Sequence, residues 1–376
     1  MSIAPLEAVD TLLETGVGDV FPGAVACVWL EGRCVFHRAV GTTSTLDDSR
    51  QVSEQTIYDL ASLTKPMAVG TLLMRAVGER KFKLNGTHCK PLCTVSERSR
   101  EVSDEHWREM TIAQLASHCS GLPAWVDFGA MVRDQLPGAI PGSARVQQFI
   151  KDCVRTTALR DRPGHSVCYS DLGYMALGWM LEEQLGLGLD RQFDWVAEQF
   201  GLSDTGYKPM GTPVDPQCAP TESCAVRSKT MHGEVHDSNA WYLGGVAGHA
   251  GLFGTAMDVA RWGNGLLDIF YGMPGPLEQQ VVQQFWSPSG SPCSGPGTWR
   301  LCFDGVSSTG SSAGTGFGPS SVGHLGYTGT SIWIEVQRRL VVVLLSNRVH
   351  PVDHKTPRIK SFRPLFHDAV VQAIRC

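Results

Sequence analysis

Two short runs of apolar and β-branched residues near the start of the chain predict a β-hairpin. Residues 24–30 and 34–40 have the composition of strands, and Glu31-Gly32 between them supplies a two-residue turn. A second strand-rich block lies near the other end, where residues 331–336 and 340–346 are separated by three polar residues. Strands at both ends of the chain predict a single antiparallel sheet built from the two termini.

The middle of the chain has helical periodicity instead. Apolar residues recur there at intervals of three and four residues, in segments 66–77, 112–118, 146–154 and 172–185. The same spacing returns in residues 362–374, which could pack on the sheet. The Gly/Ser/Pro-rich stretch 287–321 predicts loops around one short strand near residues 299–303.

These elements predict an α+β fold. An antiparallel sheet formed by both termini is flanked by helices, and a mainly helical region is inserted between the two halves of the sheet. We predict a sheet domain of residues 1–61 and 246–376 and a mainly helical domain of residues 62–245, with the functional site between them.

Composition and charge exclude several classes of protein. The 376 residues are 42% hydrophobic and 18% charged, which is typical of a folded protein with a sizeable core and excludes a disordered chain. With 32 Lys+Arg against 37 Asp+Glu the net charge is −5, so the chain lacks the basic footprint of a nucleic-acid or anionic-membrane partner. The longest apolar run, residues 340–345, is far shorter than the roughly 18 residues of a membrane span.

The start of the chain predicts an amphipathic helix of the fold rather than an export signal. Apolar residues at positions 3, 6, 9 and 13 recur at helical spacing, and acidic residues at 7, 10 and 14 interrupt them. We therefore expect a cytoplasmic protein whose 12 cysteines are reduced thiols. His88, Cys89 and Cys93 lie close together, but no second ligand pair follows at zinc-finger spacing, so we expect neither a metal nor a cofactor.

Ser62 and Lys65 are the first candidates for chemistry. Three residues apart on a helix, the hydroxyl and the amine share a face and can contact each other. Pro66 is tolerated only in a first turn, so Ser62 is expected at the amino-terminal end of the helix, where the dipole favours negative charge on oxygen. A serine beside a base can act as a nucleophile, but alone the motif is weak, because a serine before an apolar helix is usually only a cap.

Two further segments strengthen this candidate. The phenol of Tyr169 could accept the Ser62 proton if the Lys65 ammonium lowered its pKa, although a half-buried aromatic followed by a helix cap at Asp171 is the plainer interpretation. An extended segment at 324–326 could offer a backbone N–H to an oxyanion, and its glycine would let substrate approach closely. Its plainer interpretation is an edge-strand glycine beside a solvent-facing histidine.

In this order the three segments resemble the serine β-lactamase and penicillin-binding-protein superfamily, in particular its branch of class C β-lactamases, DD-peptidases and family VIII esterases. Further segments carry the same resemblance, namely residues 59–66, 115–123, 233–237, 244–253 and 346–351. The resemblance runs from about Pro22 to about Pro351 and implies a β-lactamase/transpeptidase-like fold.

The resemblance also implies roles for individual residues. Ser62 is the implied acyl-forming nucleophile, and Lys65 and Tyr169 share the proton transfer. The backbone N–H groups of Ser62 and Tyr327 form the implied oxyanion hole. Substrate-binding positions are implied at His324, Gly326 and Asp171. The expected reaction is acylation of the serine by an ester or amide, followed by hydrolysis or transfer to another acceptor.

Three positions depart from the β-lactamase pattern. His324 stands where that family usually has Lys, Leu325 where a hydroxyl helps to hold the substrate carboxylate, and Asp171 where Asn is common. Each change weakens recognition of a β-lactam, whereas the acylating residues are untouched.

Three functions stay open at this point. We favour a serine hydrolase that acts on small esters or amides, because the carboxylate-binding hydroxyl and an export signal are both missing. The second is a β-lactamase or D-Ala-D-Ala carboxypeptidase, and the third is a non-catalytic binding protein of the same fold. The expected partner is a small-molecule ester, amide or lactam, and no oligomeric state is predicted.

Some motifs are interpreted as unrelated to this chemistry. Residues 310–314 match Gly-x-Ser-x-Gly but lack the flanking strand and helix that this motif requires, so the match is interpreted as chance. His232, His236 and His249 are interpreted as structural or pocket-lining histidines rather than metal ligands. Residues 85–111 and 287–321 are expected on the rim of the pocket.

Overall fold

The computed structural model describes residues 6–47, 49–86, 104–354 and 356–375. In these ranges the α-helices are α1 Glu7–Thr15, α2 Thr71–Gly78, α3 Asp104–Glu109, α4 Ile112–Ala116, α5 Phe128–Gln135, α6 Ala144–Thr156, α7 Asp171–Leu185, α8 Leu189–Phe200, α9 Ser238–Tyr242, α10 Ala256–Phe270, α11 Gln279–Trp286 and α12 Thr356–Arg375. The strands are β1 Gly23–Leu30, β2 Arg33–Gly41, β3 Tyr58–Asp59, β4 Gly206–Tyr207, β5 Ser223–Cys224, β6 Lys229–Thr230, β7 Leu252–Gly254, β8 Asp304–Gly305, β9 Val322–Leu325, β10 Ser331–Glu335 and β11 Leu340–Ser346.

The main sheet joins both ends of the chain, as predicted. Its six strands lie in the order β2-β1-β11-β10-β9-β8, and every neighbouring pair is antiparallel. The predicted hairpin is present as β1 and β2, and its two turn residues Glu31 and Gly32 have φ of 51° and 80°. Positive φ at both positions is the geometry that matches the twist of paired strands.

The two faces of the sheet are covered by different helices. Ala24, Ala26 and Val28 belong to a buried cluster that contains α1 and α12 residues, whereas Val25 and Cys27 belong to a larger cluster that includes α10. This alternation follows the two-residue period of a strand. Strand β11 is buried along its whole length, because both faces of the sheet are covered.

The helical prediction for the middle of the chain is confirmed, with one local difference. The predicted segments 146–154 and 172–185 lie within α6 and α7, and the predicted segment 112–118 is helical as α4 up to Ala116. The segment predicted as a regular helix from Pro66 begins instead as a π-helical turn, Lys65–Gly70, which continues into α2. The large apolar cluster runs from the sheet into this helical region, and the predicted domain boundaries remain a prediction.

One predicted strand is misplaced. Residues 299–303 are not extended into a strand, and the short strand β8 lies immediately after them, at Asp304–Gly305. The apolar residues of 299–303 are buried in the core instead, because Leu301, Cys302 and Phe303 are each no more than 1% exposed. Local hydrophobicity therefore reflected burial rather than strand pairing.

Among the described residues, none of the helices combines the length and apolar character that crossing a bilayer requires. The predicted first helix is present as α1, with Val9 and Leu13 buried, and Ile3 lies outside the described residues. The cytoplasmic location remains a prediction.

Candidate active site

Ser62 lies in a tight turn whose backbone is held by a buried carboxylate. The turn Ala61–Leu63 follows strand β3 directly, and Ala61 has a φ of 47°, a left-handed conformation that alanine rarely adopts. One oxygen of Asp59 accepts a hydrogen bond from the Ala61 N–H at 2.8 Å, and the other accepts from the His236 N–H at 2.6 Å. Asp59 therefore connects the serine turn to His236, which also lines the cavity.

Lys65 lies fully buried beneath Ser62. Its Nζ is 2.8 Å from the Ser62 Oγ, 3.1 Å from the His249 carbonyl oxygen and 2.7 Å from Oδ1 of Asp171. It also lies over the Tyr169 ring, 4.9 Å from the ring centroid. The predicted Ser–Lys contact is present, and it forms although the intervening backbone is not a regular α-helix.

Tyr169 completes this network. Ser62 and Lys65 lie beside its phenol, and both act to lower the pKa of Tyr169. The ring packs against His118, with ring centroids 4.3 Å apart, and against Trp299 at 5.4 Å. The hydroxyl, the amine and the phenol thus meet at one point, although they come from distant parts of the sequence.

The segment that carries Tyr169 is fixed by the loop after α4. The Ser170 N–H donates to Nδ1 of His118 at 2.9 Å, the Ser170 Oγ donates to the Pro123 carbonyl at 2.7 Å, and the Asp171 N–H donates to Ala124 at 2.9 Å. The cap of α7 is Ser170, which accepts from the Gly173 N–H, so the alternative of Asp171 as the cap was wrong. Asp171 instead pairs with the buried lysine.

The electrostatics of the network differ from the expectation. Burial opposes the charge on Lys65, but the nearby Asp171 carboxylate and Tyr169 outweigh it and raise the lysine pKa above its ordinary value. Burial raises the pKa of Tyr169, and the Lys65 charge offsets this only in part, while Asp171 adds to the increase. The expected net lowering of the Tyr169 pKa was therefore wrong, and the resting pair is an ammonium beside a neutral phenol.

His324 lies on strand β9 and is buried, so a solvent-facing histidine is excluded. Its Nδ1 donates to the carbonyl of Leu325 at 2.8 Å. Burial, together with the charge of Lys65, lowers the pKa of His324 to about 3, so the imidazole is neutral at physiological pH. This position therefore presents no cation to a substrate.

The turn after β9 is attached to the serine turn by two threonines. Thr328 Oγ1 donates to the carbonyl of Asp59 at 2.7 Å, and Thr330 Oγ1 donates to that of Leu60 at 3.0 Å. A Cβ on Gly326 would lie 2.6 Å from the Leu60 carbonyl oxygen and 1.9 Å from Thr330 Oγ1. Glycine is thus required here because the backbone of this turn packs closely against the serine turn. The expected reason was instead that glycine makes room for the substrate.

The side chain of Tyr327 stands at the mouth of the cavity. It is about half exposed, at 53%, and its ring stacks on His236 with centroids 5.6 Å apart. Its hydroxyl donates to Asp353, and its carbonyl oxygen accepts from Nε and Nη2 of Arg348 at 2.9 and 2.6 Å. Only the backbone of this residue was expected to matter, and the ring contacts come from residues distant in sequence.

These groups line a cavity of about 870 Å³. Among the residues predicted for the site, the lining includes Ser62, Tyr169, Asp171, His324, Gly326 and Tyr327. Lys65 is not part of the lining and lies buried beneath Ser62. From the predicted rim, Trp299 and Asp304 line the cavity, whereas residues 87–103 lie outside the described residues.

The three histidines of the 232–249 region act as pocket-lining and structural groups. His236 and His249 line the cavity and pair with Glu222 and Asp237 at 2.9 and 2.8 Å. His232 hydrogen-bonds the carbonyl of Cys218 at 2.9 Å. In the part of the chain that the structure describes, no group of His, Cys, Asp and Glu side chains is arranged to hold a metal ion, and the segment with His88, Cys89 and Cys93 lies outside it.

Replacing Ala61 by glycine is expected to raise the free energy of unfolding by about 0.5–1 kcal/mol. Glycine adopts the observed φ of 47° without the steric cost that a Cβ imposes there. This gain in free energy exceeds the loss caused by the greater entropy of glycine in the unfolded chain. Urea unfolding measures the change. Glu31→Gly is the matched control, since Glu31 has a similar φ of 51° in the hairpin turn, far from the cavity. A decrease in stability of both variants would contradict the backbone explanation.

The chain is similar to known proteins over most of its length. Residues 9–361 match the family model described as Beta-lactamase. A protein of Escherichia coli O157:H7 with the proposed name D-alanyl-D-alanine carboxypeptidase is 27% identical over 370 residues, which cover 93% of this chain and 83% of that protein.

Two solved structures are similar to this chain over nearly its whole length. One is EstCE1, described as a hydrolase with promiscuous acyltransferase activity, with a TM-score of 0.73, 20% identity and coverage of 97% of this chain and 98% of that one. The other is the D-amino acid amidase from Ochrobactrum anthropi SV3, with a TM-score of 0.70, 17% identity and coverage of 98% of both chains. At these identities the likeness shows the fold.

Proposed function

The chain belongs to the beta-lactamase family, and from this membership we propose that it is a serine hydrolase that forms an acyl-enzyme on Ser62 and hydrolyses small esters or amides. The observation that carries the proposal is the shared network of Ser62, Lys65 and Tyr169 at the floor of the cavity. Once Tyr169 has lost its proton, the phenolate can accept the proton of the Ser62 hydroxyl, and the Lys65 ammonium is a stabilising charge within reach.

The proposed acylation begins with proton transfer from Ser62 to the phenolate form of Tyr169. The Lys65 ammonium, held by Asp171, stabilises the phenolate and the developing negative charge. Ser62 Oγ forms a bond to the substrate carbonyl carbon, and the resulting oxyanion is received by the N–H groups of Ser62 and Tyr327. The intermediate then collapses, the bond to the leaving group breaks, and Tyr169 returns its proton to that group.

Deacylation is proposed to repeat these steps with water in place of the serine. Tyr169 accepts a proton from the water, and the hydroxide attacks the acyl carbon. The bond from that carbon to Ser62 Oγ then breaks, and Tyr169 returns the proton to Oγ. An alcohol or amine entering the same position would give acyl transfer, and acyltransferase activity is described for EstCE1.

The cavity supports uncharged esters and amides as the preferred substrates. The neutral His324 and the apolar Leu325 offer no cation and no hydroxyl to a carboxylate beside the scissile bond. Asp171, when ionised, accepts hydrogen bonds only and would repel the carbonyl oxygen of a β-lactam's side-chain amide. Together these three side chains favour ester and amide substrates over β-lactams.

A substrate panel with adduct mapping tests the proposal. We expect turnover of short-chain p-nitrophenyl esters, slow or no turnover of a chromogenic cephalosporin, and a transient acyl mass on the peptide that contains Ser62. Rapid turnover of the cephalosporin would instead assign a β-lactamase. Stable labelling without turnover of any substrate would indicate a binding protein.

D-Ala-D-Ala carboxypeptidase is the second candidate. The E. coli relative carries that proposed name, and Lys360 on α12 lines the cavity as an exposed cation that could receive a terminal carboxylate. Release of D-alanine from a D-Ala-D-Ala peptide, lost in Lys360→Met while ester hydrolysis is unchanged, would favour this activity.

Asp171→Asn is expected to shift the pH dependence of kcat/KM toward lower pH, by about one pH unit. The Asp171 carboxylate contributes to the raised pKa of both Lys65 and Tyr169, so removal of its charge lowers both. The rate rises with pH as Tyr169 loses its proton, and a lower pKa therefore moves the ascending limb to lower pH. Initial rates between pH 6 and 11 measure the shift.

The control for this prediction is Glu222→Gln. Glu222 is another carboxylate of the cavity, but it pairs with His236 and is not among the main causes of either raised pKa. Its removal is expected to leave the ascending limb in place. An Asp171→Asn profile that coincides with the wild-type profile would exclude Tyr169 as the group that controls the limb.

A further inference from the structure

Helix α12 carries a buried arginine into the wall of the cavity. Arg363 is only 5% exposed, and none of the ion pairs within the described ranges involves it. Its Nε is buried without a hydrogen-bond partner among these residues. A charge removed from water without a counter-ion destabilises a fold, so packing alone does not account for this guanidinium.

The other end of the guanidinium reaches the turn beside Ser62. Nη2 of Arg363 donates to the carbonyl oxygen of Gly326 at 3.0 Å and to that of Thr330 at 2.7 Å. The Gly326 carbonyl and the Tyr327 N–H belong to one planar peptide group. A charged donor on the carbonyl oxygen withdraws electron density from that group, and the N–H at its other end becomes a stronger donor.

We propose that Arg363 is a positioning residue that polarises the Gly326–Tyr327 peptide group and thereby strengthens the N–H that receives the oxyanion. This inference rests on the proposed function, because it requires an oxyanion formed at Ser62. The hydrogen bonds of this arginine go to the backbone carbonyls of Gly326 and Thr330 rather than to Ser62, so its proposed effect acts through the backbone. Burial and the neighbouring Arg348 lower the pKa of Arg363 to about 9, and the guanidinium remains charged at neutral pH.

Arg348 shows why the contact is specific to Arg363. Arg348 donates to the carbonyl of Tyr327, which belongs to the next peptide group along the chain, and its charge is paired with Asp353. It orders the same turn but cannot polarise the Tyr327 N–H. Of these two arginines, only the unpaired one bonds the peptide group that contains the proposed oxyanion donor.

Neutral and charged replacements of Arg363 separate polarisation from simple support of the turn. Arg363→Gln keeps an N–H donor but loses the charge, whereas Arg363→Lys keeps the charge. For Arg363→Gln we expect kcat to fall about tenfold with KM changed less than threefold, since the effect is confined to the transition state. Arg363→Lys is expected to recover most of the lost rate.

A boronic acid inhibitor gives the second readout, since its tetrahedral adduct on Ser62 places an oxygen where the oxyanion forms. Its inhibition constant is expected to rise about tenfold in Arg363→Gln, in parallel with the loss in kcat. His367→Asn is the control on the same helix, because His367 is buried and bonds the Ser312 carbonyl, away from Gly326. It is expected to keep the wild-type kcat and inhibition constant.

The possible outcomes are distinguishable. Wild-type affinity for the boronic acid in Arg363→Gln would overturn the inference, as would an equal loss of rate in His367→Asn. If Arg363→Gln does not fold, Arg363→Lys decides the question, because a wild-type kcat supports a role of the charge and a tenfold loss contradicts it. Failure of the wild-type protein to form any adduct on Ser62 would overturn the proposed function itself.

Discussion

Alanine in place of Ser62 is expected to lower kcat/KM for a p-nitrophenyl ester by about 10⁴-fold or more, with the fold intact. The hydroxyl is the group in contact with both Lys65 and Tyr169, and without it no covalent intermediate can form. Its loss removes only one small polar atom at the cavity surface, so thermal unfolding is expected to change little. Steady-state kinetics and mass spectrometry of the quenched reaction measure the two effects.

The chain offers a control serine for this experiment. Ser312 occupies the serine position of the Gly-x-Ser-x-Gly match, and within the described structure neither a strand nor a helix adjoins that segment. Ser312→Ala is expected to retain wild-type kinetics. If activity survives in Ser62→Ala, or is lost in Ser312→Ala, the assignment of Ser62 as the nucleophile is wrong.

The main sheet could be predicted from sequence because short local segments identify its strands and its hairpin turn. The turn at Glu31-Gly32 and the continuous apolar run of β11 each identify an element within about ten residues. The strand predicted near residues 299–303 was wrong because a buried loop and a buried strand have the same composition. Hydrophobicity reports burial, and pairing depends on partners elsewhere in the chain.

Local sequence likewise predicts only some residues of the candidate site. Ser62 and Lys65 are neighbours in sequence, and their contact follows from their spacing. Tyr169 and His324 join them only in the folded chain, and the family resemblance rather than any local pattern indicated them. The left-handed backbone at Ala61 has no sequence signal, because it is imposed by Asp59 and the surrounding packing.

The electrostatics could not be predicted from residue types. A lysine beside a tyrosine suggests a lowered tyrosine pKa, but burial and the Asp171 charge reverse the net direction. The buried position of Arg363 was equally invisible, since an arginine in an amphipathic helix is usually exposed. Asp171 was identified as a departure from the family pattern, and its ion pair with Lys65 gives that departure a physical consequence.

Gly326→Ala is expected to reduce kcat/KM by about 10²-fold, the second-largest effect predicted for this site. The new methyl group would overlap the Leu60 carbonyl and Thr330 Oγ1, so the turn that holds the Tyr327 N–H must move away from the serine turn. Gly206→Ala is the control, because a Cβ there meets open space. Ester kinetics compare the two variants, and wild-type kcat/KM in Gly326→Ala would show that the spacing between the two turns does not limit the reaction.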